Sequence, residues 1–192
     1  GGWVQHEGGH SSWTGNIWWD KRIQAFTAGF GLAGSGDMWN SMHNKHHATP
    51  QKVRHDMDLD TTPAVAFFNS AVEDNRPRGF SKTWLRLQAY TFVPVTSGAV
   101  LLFWMFFLHP SKALKSSKYE ELAWMIAAHV VRTWVIKAVT GFSLKASYGL
   151  FLSTMWLSGC YLFAHFSTSH THLDVVPADK HISWVRYAVD HT

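Results

Sequence analysis

Two stretches without a single Asp, Glu, Lys or Arg limit what this chain can fold into. One lies between Arg86 and Lys112, the other between Lys145 and Asp174. The first is dense in Phe, Leu, Val and Trp from Phe92 to Leu108, and the second has its apolar centre at Tyr148 to Phe166. A bilayer's hydrocarbon core, ~30 Å thick, takes about 20 apolar residues of helix, so crossings are expected at about 90–108 and 147–166. Residues 122–142, between them, are apolar but interrupted by His129, Arg132 and Lys137. Each of these is expensive at mid-bilayer, which makes an interfacial or partly buried helix the expectation there. The expected fold is an all-α membrane protein in which transmembrane helices are combined with interfacial ones.

Composition agrees. At 192 residues the chain is one domain's worth, and its 11 Trp and 13 Phe suggest a membrane interface. Mean hydropathy is only −0.10, so a substantial polar part must alternate with the apolar segments. Ile23 to Leu32 is apolar but too short to span, and reads as an interfacial helix. The net charge of +4 is spread along the chain without a basic stripe, so no nucleic-acid partner is expected. Cys160 is the single cysteine, which excludes a disulfide framework and thiolate metal binding. The first residues, Gly1-Gly2-Trp3-Val4, show neither an initiator Met nor a signal-peptide pattern, as an internal piece of a longer protein would.

Chemistry concentrates in the polar part. His43, His46 and His47 stand at i, i+3 and i+4, so in a helix their imidazoles share one face. His6 and His10 repeat the i, i+4 spacing. A histidine-rich site without thiolates suits iron, zinc or copper. His6-Glu7-Gly8-Gly9-His10 also spells His-Glu-x-x-His, the zinc metalloprotease motif, in which the glutamate activates water. That reading leaves His43, His46 and His47 unexplained. Two crossings between this cluster and His170 and His172 would put all of them in one compartment. Nine of the 17 Lys and Arg fall between Lys21 and Arg86, which favours a cytosolic histidine face.

The spacing His-x-x-x-His (6–10), His-x-x-His-His (43–47), then apolar spans, resembles the histidine boxes of the membrane fatty acid desaturases. The words Gln-His-Glu-Gly-Gly-His-Ser-Ser, Met-His-Asn-Lys-His-His-Ala-Thr-Pro-Gln, Asp-Met-Asp-Leu-Asp-Thr-Thr-Pro and Phe-Ala-His-Phe-Ser-Thr-Ser-His-Thr-His resemble the front-end desaturases of microalgae, nearest to delta-6 enzymes acting on acyl-CoA. The resemblance covers essentially the whole chain. It implies a di-iron enzyme of the endoplasmic reticulum membrane, with two non-haem irons. Such an enzyme uses O2 and electrons from cytochrome b5 to place a cis double bond in an acyl chain carried by CoA or a phospholipid. It further implies His6, His10, His43, His46 and His47 as iron ligands, His170 as a sixth, and Asp56, Asp58 and Asp60 as partners that fix imidazole tautomers.

Two features of the family are not met. Its third box, Gln-x-x-His-His, follows the second span, whereas this sequence ends at Asp190-His191-Thr192; nor does any segment match a fused cytochrome b5 domain. The chain therefore reads as the central part of a desaturase, expected to be inactive alone. A hydroxylase or acetylenase on the same scaffold is an alternative to desaturation, as is a silent module that stores haem or metal. His109, His129, His165 and His181 are expected to be packed or interfacial.

Overall fold

The computed structural model describes residues 2–56, 58–59, 61–69, 72–73, 78–170 and 173–190. Among these, regular structure is helical, and the one strand-like feature is an isolated parallel bridge between Lys52 and Val176. The helices are α1 (Gly2–Gly9), α2 (Ile17–Phe26), α3 (Gly36–Ala48), α4 (Gly79–Arg86), α5 (Gln88–Lys115), α6 (Tyr119–Thr140), α7 (Leu144–His170) and α8 (Trp184–Asp190). The chain forms two compact units, residues 1–40 with 98–159 and residues 41–97 with 160–192.

Local chemistry sets several boundaries. The Asn16 side chain accepts the N–H groups of Trp18 and Trp19 and starts α2. Gly141, at φ +72, ends α6 by donating its N–H to the Lys137 carbonyl. Inside α5, Pro94 lies in a widened π turn, Phe92–Ser97, as expected where an N–H is missing from the helical ladder.

In the first unit, α1 packs on α2, and the π turn Thr27–Gly31 that continues α2 packs on α6. Contact there is close because Gly29 has no side chain: a Cβ would stand 2.5 Å from that of Trp124. Gly98 lies likewise against the Trp156 ring. Small residues that let helix backbones approach are the means by which helices associate without water to drive them. Met105, Met125, Phe151 and Met155 fill the core. In the second unit, Leu59 and Phe68 pack with Phe67 and Phe166. The loop before α4 is fastened by Gln88, whose amide exchanges two hydrogen bonds with the Ala66 backbone, and by Trp84 Nε1 donating to the Ala64 carbonyl.

Among the described residues two helices are long and apolar enough to cross a membrane, α5 and α6. Only 28% and 17% of their most apolar windows are buried, unlike the core helix of a water-soluble domain. The expected crossing at 90–108 falls within α5. The stretch expected to be interfacial, 122–142, corresponds to α6, which has the length and apolarity of a span. Its interrupting residues are reconciled by their partners: Arg132 donates to the Gly31 carbonyl at 2.8 Å and lies over the Phe151 ring, and His129 meets the Tyr148 hydroxyl at 3.1 Å. Outward it presents Ile126, Val130, Val131, Trp134, Val135 and Val139. The second expected crossing, 147–166, lies within α7. At 27 residues α7 is long enough to span but is more polar, and Ser153, Thr154 and Ser158 return their hydroxyls to carbonyls of the preceding turn.

Arg132→Met keeps the length of the side chain but abandons the Gly31 carbonyl. It is expected to cost about 1–3 kcal/mol, read as a lower thermal midpoint in detergent; an unchanged midpoint would refute this role for Arg132.

Candidate metal centre

Helix α3 carries three of the histidines, with His43 and His46 buried and His47 exposed. His43 and His47, one turn apart, bring their Nε2 atoms to 2.9 Å. On its other side each buried ring meets a carboxylate: His43 Nδ1 lies 3.1 Å from Asp58 Oδ2, and His46 Nδ1 lies 2.8 and 2.9 Å from the two oxygens of Asp56. A carboxylate accepts only, so Nδ1 carries the hydrogen, and Nε2 is the electron-pair donor. Burial disfavours the charged form of His46, but the hydrogen bond to Asp56 and the charges of Asp56 and Asp58 outweigh it and raise its pKa.

Asp56 is itself held. It is buried and accepts the N–H groups of Gln51 (2.9 Å) and Asp58 (3.1 Å). Gln51 and Val53 exchange backbone hydrogen bonds with Val176, and the Tyr187 hydroxyl donates to the Pro50 carbonyl. Burial, then the nearby Asp56 charge, pushes the Tyr187 phenol up to about 12, so it keeps its proton at neutral pH. A loop of turns without regular structure is thus fixed from the C-terminal segment, and it delivers two carboxylates to the histidine helix.

Helix α1 carries the second pair. The rings of His6 and His10 lie 4.6 Å apart, and their nitrogens fall within 4.8 Å of one another, as do those of His43 and His47. His6 Nδ1 lies 2.8 Å from Glu7 Oε1, the same imidazole–carboxylate pairing again. Hydrogen bonds from His6 and Ser12 lower the Glu7 pKa. Both rings pack edge-on against Trp39, at 5.3 and 6.1 Å between centroids. Trp39 lies on α3, with His43 and His47 following at four-residue intervals, about 6 Å of rise each. In the first unit Trp39 is therefore the ring that seats His6 and His10.

That seat depends on Gly9, whose absent Cβ would lie 2.5–2.7 Å from Asn40 Oδ1, Trp39 Cζ3 and Gln24 Nε2. The buried Gln24 and Asn40 amides exchange two hydrogen bonds at 2.7 and 3.0 Å, tying α2 to α3 under the glycine. The paired glycines, an unfavourable feature in the motif helix of a zinc protease, are here the condition for close approach.

The donors in each unit suit metal binding: His6 in the first, and His43 and His46 in the second, present Nε2 with Nδ1 tied to a carboxylate, the pattern typical of histidine ligands. The expected pairings of Asp56 and Asp58 with histidines are present; Asp60 lies outside the described residues. His170 closes α7, and its side chain lies outside the described residues, as does His172. Trp39, Gln24 and Asn40 are parts of the site that the histidine spacing does not mark, and Glu7, which the protease motif offers as the group that activates water, pairs with His6 instead. The signal for Glu7 was its adjacency to His6, whereas the Gln24–Asn40 pair had none in the sequence. The structure also disfavours the protease reading, because the Glu7 carboxylate is engaged by His6 and Ser12. Of the histidines expected to be packed or interfacial, His109 lies buried against Trp104 and also accepts the Ser35 N–H, His129 is half-buried against Phe151, and His165 is exposed, stacked on Tyr161.

Gly9→Ala is expected to lower metal retention about tenfold while protein of normal helicity accumulates, measured as metal per chain after chelator challenge; unchanged retention would contradict the close-approach role.

Comparison with known proteins bears on this geometry. The family model described as Fatty acid desaturase matches residues 1–191. The chain is similar to an acyl-lipid (8-3)-desaturase of Thraustochytrium sp, 40% identical over 192 residues that make up all of this chain and 43% of that protein. It is also similar to an acyl-lipid (8-3)-desaturase of Rebecca salina, 43% identical over 197 residues, all of this chain and 44% of that protein. A more distant relative is the delta(6)-fatty-acid desaturase fat-3 of Caenorhabditis elegans, 26% identical over 94% of this chain and 43% of that protein. The chain thus spans less than half the length of these relatives. No solved structure matches it. With a family model matching almost every residue and two histidine pairs seated on and along one helix, the chain belongs to the fatty acid desaturase family.

Proposed function

We propose that this chain is the histidine-bearing part of a front-end desaturase that inserts a cis double bond into a polyunsaturated acyl chain. The observation that carries the reading is the repeated imidazole–carboxylate pairing at His6–Glu7, His43–Asp58 and His46–Asp56, which presents Nε2 atoms as donors. In this reading His6, His10, His43, His46 and His47 hold two non-haem irons, with His170 as a further ligand. Imidazole resists oxidation where thiolate would not, which suits it to such chemistry.

When bound, the irons supply the activation of O2 needed to remove hydrogen from an unactivated carbon. The balance is two C–H bonds broken and one C=C bond formed, with O2 reduced to two waters by four electrons. The substrate gives two of these electrons and the donor two, and two further protons are taken up. The chain's own residues act around this: Asp56 and Asp58 keep the hydrogen on Nδ1 of His46 and His43, Glu7 does so for His6, and Trp39 seats the rings of α1. The electron donor in this proposal is cytochrome b5, and the setting is the endoplasmic reticulum membrane. Helices α5 and α6 lie in the bilayer and the histidines face the cytosol, supported by the apolarity and outward-facing side chains of both helices.

The relatives weigh on regiochemistry. Those at 40 and 43% identity carry the acyl-lipid (8-3) name, whereas the delta-6 enzyme is 26% identical. We therefore favour the (8-3) position over the expected delta-6 position and, of the two expected carriers, a phospholipid over CoA.

Expression of the full-length enzyme in a host without polyunsaturated lipids, fed defined fatty acids, tests this. A new cis double bond on the carboxyl side of an existing one is expected, with loss of at least about 100-fold in His46→Ala. A hydroxylated product, or full activity in His46→Ala, would overturn it.

A further inference from the structure

We infer that Glu121 and His109, one from each apolar helix of the first unit, are positioning residues that fix the register of histidine helix α3 by capping its N-terminus. Helix ends leave backbone N–H groups without intrahelical acceptors, and a carboxylate there also opposes the positive end of the helix dipole. At the start of α3 these acceptors come from distant segments. Glu121, in the first turn of α6, accepts the Asp37 N–H at 3.0 Å through Oε1 and the Ser35 hydroxyl through Oε2. The Ser35 oxygen in turn accepts the Met38 N–H at 3.1 Å. His109, in α5, accepts the Ser35 N–H at 2.8 Å through Nδ1.

Ser35, His109 and Glu121 are 1%, 7% and 8% exposed, so water does not replace a lost partner easily. Gly34 lets the His109 ring lie alongside, 3.4 Å from where its Cβ would be. The cap is polar and buried, and it begins a helix whose next turns carry Trp39, His43, His46 and His47. A shift of α3 along its axis by one residue, about 1.5 Å, would misplace every one of these rings, and such a displacement is costly at a preorganised site. Nothing in the iron chemistry uses Glu121 or His109, and neither touches a histidine of the candidate centre in the contacts above; they act through the helix.

The inference rests on the metal reading above, and the test separates the two. In full-length protein purified in detergent, wild type, Glu121→Leu, Glu121→Gln, His109→Leu, His109→Asn and Ser35→Ala are compared for iron per chain, apparent iron affinity and amide exchange across 36–48. Gln offers an acceptor oxygen in place of the carboxylate, and Asn offers one near the position of Nδ1, so both retain the cap. The Leu variants are expected to lose about tenfold in iron affinity and to exchange amides faster in the first turns of α3, with Gln and Asn largely restored. Ser35→Ala, a small excision that tolerates folding, is expected to fall between. Lys118→Ala, which removes the exposed pair with Asp37 and leaves every hydrogen bond of the cap in place, is expected to match wild type. Unaltered iron affinity and exchange in the Leu variants and Ser35→Ala, or Gln and Asn variants as impaired as Leu, would overturn the inference. Wild type that binds no iron yet shows the exchange pattern would defeat the metal reading and leave the cap standing.

Discussion

A neutral imidazole can bind metal through either nitrogen, and the hydrogen bond made by one decides the role of the other. Here Glu7, Asp56 and Asp58 make that decision for His6, His46 and His43. The rest of the described structure can be seen as the means of bringing carboxylates to imidazoles. The loop after α3 is pinned by the Val176 bridge and Tyr187 so that Asp56 stays buried beside His46. Helix α1 lies close on Trp39 because Gly9 has no side chain to obstruct it, and close on α2 because Gly8 has none. Paired in a buried place, His46 and Asp56 keep a defined proton position where water competes poorly.

The same economy of polar groups governs the apolar helices. In α6, Arg132 and His129 turn to a carbonyl and a hydroxyl inside the unit, so the outer surface is left to Ile, Val and Trp. A helix can thus carry a guanidinium and still present an apolar exterior, because the guanidinium and the imidazole have partners within the protein. At its first turn Glu121 spends its carboxylate on the start of α3. Polar residues in apolar helices here connect segments distant in sequence.

Much of the site was legible in the sequence, for a physical reason: helical spacing by itself puts His43, His46 and His47 on one face and His6 beside His10. The apolar run at Phe92 to Leu108 declares itself because no charge interrupts it. Residues 122–142, expected to be interfacial, form a helix of spanning length in which Arg132 finds its partner in a segment about a hundred residues earlier. Such long-range pairings leave no local periodicity. Nor could spacing disclose the Gln24–Asn40 amide pair, the Ser35 cap or the dependence of Asp56 on Val176, each of which exists only once the chain has folded. The words around the boxes carried the family, whereas regiochemistry is spread over a substrate path that no short motif records.

The central claim is that imidazoles, their tautomers fixed by carboxylates, hold a pair of irons. X-ray absorption at the iron edge of the full-length, membrane-extracted protein, with metal counted per chain, tests it most directly. The account predicts two irons per chain in a shell of nitrogen and oxygen only, with the outer-sphere scattering of several imidazoles. A single zinc, or sulfur in the iron shell, would contradict it.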